Sequence, residues 1–176
     1  MIKNCLLALI TVAATSGAAH AGGQAGSIGV GAEFQLSGAG GPSVNYDAGQ
    51  FHLGGFLSMV DPAGPSNTLF EIGGGFFWHV HKTAMSDFGI GGSIGIESVP
   101  PQGGMAAVRT TDLFIEPSFQ IRLFLSSNVA LSFTAGIVFG AVDAGGLAIT
   151  GQGVSAGGDA FGAGFAGGAG VHYYFF

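Results

Sequence analysis

The chain is poor in the residues that most often carry chemistry. Of its 176 residues, four are Lys or Arg, ten are Asp or Glu, and a single one, Cys5, is cysteine. With no second cysteine there is neither an intrachain disulfide nor a Cys-based zinc spacing. Lys82, Arg109 and Arg122 are the only such cations beyond Lys3, so no basic patch can neutralise phosphates and nucleic acid is excluded as a partner. Past the first twenty-odd positions, no apolar run approaches the roughly 20 residues that a membrane-crossing helix needs. Glycine is the exception to this poverty, with 35 residues.

The N-terminus reads as a secretory signal peptide. Lys3 precedes the apolar stretch Leu6 to Ala14, and the small-residue pattern Ala19, His20, Ala21 ends just before Gly22. Cleavage after Ala21 divides the chain into a leader, 1–21, and one domain, 22–176. Cys5 goes with the leader. Loss of Lys3 takes the formal net charge from −6 to −7. The domain must therefore be held by burial, by metal or by its surroundings rather than by disulfides.

Mean hydropathy is nonetheless positive, and the reason is alternation. In 68–82, Phe70, Ile72, Phe76, Trp78 and Val80 fall on one face, and Glu71, Phe77, His79 and His81 on the other. The pattern recurs with Phe88, Ile90, Ile94 and Ile96, with Leu113, Ile115, Phe119, Ile121, Leu123 and Leu125, and with Val129, Leu131, Phe133, Ile137 and Phe139. This is the period of strands. No charge falls on any of these apolar faces, whereas the opposite faces are mostly Gly, Ser and Ala with isolated ionisable groups. Such residues make a poor solvated surface and a good filling for a narrow barrel.

Further strands are predicted at 28–36, at 46–60 and, through a glycine-rich region, at 146–155, with a last one closing the chain. The segments 38–43, 61–67, 82–87, 100–104 and 126–128 are predicted as turns. That division gives eight strands and puts the long turn 99–109 at the same end as the N-terminus. The fold class is an all-β, eight-stranded, antiparallel, up-and-down transmembrane barrel. Pro117 lies inside a strand that pairs on both sides, and a bulge or kink is expected there.

The alternating faces and the terminal GAGVHYYFF resemble the small OmpA/OmpX-type outer-membrane barrels of Gram-negative bacteria. The resemblance implies an assembly signal for the barrel-insertion machinery on Gly170, Tyr173 and Phe175, with Phe176 one residue further on. It also implies a cell-envelope location, the outer membrane, reached by signal-peptide-dependent export.

Glu33, Glu71, Glu97, Glu116 and Arg122 all fall on the lumen face, as do His52, His79, His81 and His172. They are expected to form a polar network that plugs the barrel, with Arg122 paired to the glutamates. His79 and His81, two apart on one strand face, have a spacing that can ligate metal, but charge compensation is the expected role and no metal or cofactor is assigned. Phe76 and Trp78 read as girdle aromatics at a membrane interface. Histidines that face inward cannot meet lipid substrate, so no catalytic residues are assigned and no enzyme is expected.

The function expected from the sequence is a monomeric outer-membrane barrel with a structural or surface-interaction role, a mostly occluded lumen, and lipid and the assembly machinery as partners. One alternative is a narrow porin-like channel for small solutes or ions. Another is a secreted, glycine-rich β protein that assembles with its own copies through exposed strands.

Overall fold

The computed structural model describes residues 24–35, 40–61, 68–100, 109–142, 146–148 and 164–175. The strands are β1 (Ser27–Gln35), β2 (Gly40–Asp47), β3 (Phe51–Val60), β4 (Leu69–Lys82), β5 (Ser86–Val99), β6 (Thr110–Phe124), β7 (Val129–Val142), β8 (Gly146–Ala148) and β9 (Gly164–Phe175). Each of the first seven pairs antiparallel with the next, and β9 pairs with both β7 and β1. The ladder is thus a closed ring of eight strands. β8 stands outside it, adding three residues to the tip of β7 opposite Gly140–Val142.

Eight strands were expected, but the chain counts them differently. The predicted strand 46–60 is two strands, folded back at 48–50, and residues 40–43, predicted as turn, belong to β2. Gly49 explains the fold-back: its φ of +90° is open to glycine at little cost. Its N–H donates to Asp47 Oδ1 at 2.7 Å, which closes the turn. The predicted strand at 146–155 contributes only β8 among the described residues, and the rest of it lies outside them.

This shift by one strand reverses the ends. The connections of 48–50, 83–85 and 125–128 are tight and lie at one end, which the N-terminal end of β1 shares. The connections that follow β1, β3, β5 and β7 leave from the other end, so the 100–109 connection stands opposite the N-terminus rather than beside it. The barrel thus has a turn end, with the tight reversals, and a loop end opposite it.

Pro117 produces no bulge. Ile115 pairs with Phe139 and Ser118 with Gly136, so the register with β7 is kept while Glu116 and Pro117 have no partner across that ladder. Pro42 in β2 behaves alike, between the pairs Gly40–Met59 and Ser43–Phe56. Each proline lacks an N–H and sits where one ladder is interrupted. The register shift that does occur lies in β4, between His79 and His81.

The apolar faces point outward. Ile28, Val30, Leu53, Ile72, Trp78, Ile90, Ile94, Ile115, Phe119, Phe133, Val171 and Tyr173 are all exposed around the ring. The interior instead holds Asn45, Asp47, His52, Glu71, His79, Asp87, Gln120, Arg122 and His172, together with Phe77, Phe114, Phe124 and Tyr174. Among the described residues no helix is long and apolar enough to cross a membrane.

Candidate functional site in the barrel lumen

The turn-end half of the lumen is built around Arg122 of β6. Its Nη2 donates to Asp47 Oδ2 and to Asp87 Oδ2, each at 2.6 Å, and lies 3.0 Å from His79 Nε2. Nη1 donates to the Tyr174 hydroxyl at 3.1 Å, and the guanidinium carbon stands 5.3 Å from the Phe124 ring centre. The four polar partners come from β2, β4, β5 and β9, so one side chain ties β6 to strands around the ring. Gly29 makes room for this: a Cβ there would come within 2.8 Å of the Tyr174 ring.

Histidines extend the cluster. The Gly49 carbonyl can only accept, so His79 Nδ1, 3.0 Å away, carries a proton. His79 Nε2 then faces His52 Nδ1 at 2.8 Å, with the two rings stacked. Ligand atoms of Asp47, His79 and Asp87 lie close enough together to hold a metal ion. Arg122 Nη2, however, is within 3.0 Å of all three residues. The guanidinium already occupies the position a cation would take.

The sequence expectation paired Arg122 with glutamates, and the structure corrects it. Arg122 bonds Asp47 and Asp87, neither of which is among the lumen residues expected from the sequence: Asp87 falls in the predicted turn 82–87, and Asp47 in the predicted strand 46–60 with no side assigned. One signal was available: Asp47 and Asp87 keep the parity of the buried positions Asn45 and Gly89 beside them. His81 is also corrected. The register shift after His79 sets His81 opposite Phe88, on the outward-facing row of β5, and its side chain is exposed. The expected His79–His81 pair is replaced by His52–His79, which approach from neighbouring strands.

Glu33, Glu71, Glu97 and Glu116 gather in the loop-end half instead. Glu71 and Glu97 oppose each other across β4 and β5, and Glu97 opposes Asp112 across β5 and β6. Glu33, from the far side of the ring, and Glu116 both feel the charge of Glu71. Gln35 bonds the Glu71 carboxylate. His172 stands between the halves: its Nε2 is 2.7 Å from Ser43 Oγ and 3.7 Å from Glu33 Oε1.

Among the described residues a serine, a histidine and a carboxylate meet at His172, but not as a hydrolytic triad. A triad needs the carboxylate on the ring nitrogen opposite the serine, whereas Ser43 and Glu33 approach the same Nε2. Ser43 and His172 are also buried inside the ring, away from the outer face.

On the outer face, Phe76 and Trp78 are exposed and contact Phe51, with ring centres 5.4 and 6.3 Å apart. In β9, Gly170 pairs with Glu33, Tyr173 with Val30 and Phe175 with Ile28. Tyr173 and Phe175 form an outward edge-to-face pair at 5.0 Å. Phe176 lies outside the described residues.

No protein-family model matches the sequence, and no curated protein matches it. Among solved structures, the chain is similar to the crystal structure of the N-terminal β-barrel domain of Pseudomonas aeruginosa OprF. The TM-score is 0.61 at 10% identity, over 86% of this chain and 98% of that one. The two share a barrel fold. At that identity the likeness extends to the closed ring and its antiparallel order and to no particular side chain, so the lumen of this chain is read from its own residues.

Proposed function

We propose that the chain is an outer-membrane barrel protein, monomeric, with a structural or surface-interaction role and a lumen plugged at its turn end. The observation that carries this is the inversion of polarity. Exposed Ile, Leu, Val and Phe surround the ring on every barrel strand, while Arg122, Asp47 and Asp87 are almost wholly buried inside it. A water-soluble barrel would bury the first set and expose the second; lipid reverses the preference. The OprF-like fold and the sequence resemblance to OmpA/OmpX-type barrels support the same reading. On this reading lipid covers the outer face, and β9, which closes the ring, carries the residues that the insertion machinery engages.

Export by a signal peptide and the absence of catalysis belong to the same proposal. Self-assembly through exposed strands has lost its basis, because each of the eight ring strands is paired on both sides. The channel reading keeps one observation in its favour, the acidic loop-end half. Against it stands Arg122, whose four polar partners fill the turn-end half of an interior only wide enough for side chains.

Refolding into detergent micelles tests the proposal. The folded protein is expected to migrate faster than its boiled form on a gel and to give no steady conductance in a planar bilayer. A water-soluble monomer without detergent would overturn the membrane reading, and a stable unitary conductance would overturn the plug.

A further inference from the structure

Arg122 Nη2 suits its surroundings as a cation and poorly as a hydrogen-bond donor. It carries two hydrogens but faces three acceptors, Asp47 Oδ2 and Asp87 Oδ2 at 2.6 Å and His79 Nε2 at 3.0 Å. Among the described residues, Arg122 Nε and Asp87 Oδ1 are meanwhile buried with no partner. One nitrogen is oversubscribed while a donor and an acceptor beside it stay unused. Two carboxylates against one guanidinium also leave a formal negative charge where burial weakens screening.

The same three acceptors are placed as metal ligands. Asp47, His79 and Asp87, from β2, β4 and β5, each present one ligand atom, and these atoms lie within 4.8 Å of one another. Shortening the contacts now made to Nη2 by less than about 1 Å brings all three to the distances of a zinc shell. The support behind them is also in place. A ligating histidine commonly donates its other N–H to a backbone carbonyl, which fixes its tautomer, and His79 Nδ1 donates to the Gly49 carbonyl at 3.0 Å. The Gly49 N–H holds the other oxygen of Asp47, Oδ1, at 2.7 Å. One turn residue thus orients two of the three ligands.

We propose that Asp47, His79 and Asp87 form a transition-metal site of the zinc class that Arg122 keeps closed, so that the guanidinium and a divalent ion compete for one position. An imidazole with two carboxylates suits Zn²⁺ or Co²⁺, whereas Ca²⁺ and Mg²⁺ take oxygen ligands. An ion of charge two balances both carboxylates, where the guanidinium balances one. Three protein ligands leave a fourth position for water. His52, whose Nδ1 lies 2.8 Å from His79 Nε2, gives up that contact when an ion arrives.

Zinc chloride titrated calorimetrically into the refolded protein in a neutral, chelator-free detergent buffer tests this, with gel migration confirming first that the barrel has formed. Arg122→Ala is expected to bind one Zn²⁺ per barrel, and the unsubstituted protein none over the same range. Saturating Zn²⁺ should raise the unfolding midpoint of Arg122→Ala and leave that of the unsubstituted protein where it was. Adding His79→Gln or Asp87→Asn to Arg122→Ala should weaken binding by at least about tenfold, and adding Glu71→Gln, at the loop end, should leave it unchanged. Absence of saturable Zn²⁺ binding to folded Arg122→Ala overturns the proposal. Equal binding by the unsubstituted protein, undiminished affinity in either double variant, or a loss on adding Glu71→Gln as large as theirs overturns it too. Should Arg122→Ala fold only with Zn²⁺ present, that rescue is the expected exchange of one cation for another. Should it fold in neither condition, Arg122→Met, which keeps the side-chain stem, carries the test by the same criteria, and failure of both to fold with Zn²⁺ overturns it.

Discussion

The Asp47 carboxylate and the Arg122 guanidinium, 75 positions apart in the chain, meet at 2.6 Å with both side chains sealed from solvent. Burying such a pair costs desolvation that its attraction only partly returns, so the pair is a weak source of net stability. Removing one member is another matter, because it strands the other. Arg122→Ala leaves both Asp47 and Asp87 without their cation, and is expected to lower the unfolding free energy in micelles by about 3–5 kcal/mol. Asp47→Asn, which keeps Arg122 paired with Asp87, should cost less. Equal losses would contradict the geometry.

The Tyr174 hydroxyl accepts from the second arm of the same guanidinium. Tyr174→Phe keeps the ring against Phe124 and removes only that acceptor. A bond to a charged donor is worth about 1.5–3 kcal/mol, and a loss near the lower figure is expected. In a double-mutant cycle with Arg122→Ala, the cost of Tyr174→Phe should largely vanish.

Ile94 and Ile115 are direct partners across the β5–β6 ladder, both exposed and remote from either end. Lysine at either position should cost about 2–4 kcal/mol in a bilayer, against roughly 0–1 for Met85→Lys in a turn. Equal, small effects at all three positions would mean that water, not hydrocarbon, bathes the outer face.

Gly49 adopts a φ of +90° in the tight chain reversal between β2 and β3. A side chain there carries the left-handed penalty of about 1–2 kcal/mol. Gly49→Ala should therefore lower stability by about that amount, whereas Gly55→Ala, in an ordinary strand conformation with only Val44 in van der Waals contact, should change it far less. Denaturant midpoints of the two variants in micelles provide the comparison.

Much of this fold was legible because outward-facing and lumen-facing positions differ so sharply in residue type. Along β4 to β7 the alternation alone assigns nearly every side chain to its side of the wall. It failed where period gives way to local geometry. In 46–60 the outward row changes from the even positions Val44 and Tyr46 to the odd positions Leu53 and Leu57 across the Gly49 turn, a change of parity that a single strand over 46–60 passes over. At His79–His81 one extra residue resets the parity, and a bulge has no signature in the period itself. The ion pairs were less legible than the faces. Position along a strand says which side chains share the lumen, but the register between strands decides which of them touch. That register sends Arg122 to the aspartates near the turns and leaves the glutamates to Gln35, His172 and one another.

The separation of short and long connections gives the barrel two ends that tolerate change differently. At one end each reversal is fixed by a hydrogen-bonded turn, and a single inserted residue there would slide two strands past each other and turn their oily rows inward. At the other, the joins after β3 and β5 leave the ladders only once pairing is complete. An epitope tag spliced into those joins is expected to lengthen them without disturbing a strand, which makes this end the permissive rim, where sequence can drift at no cost to the ladder.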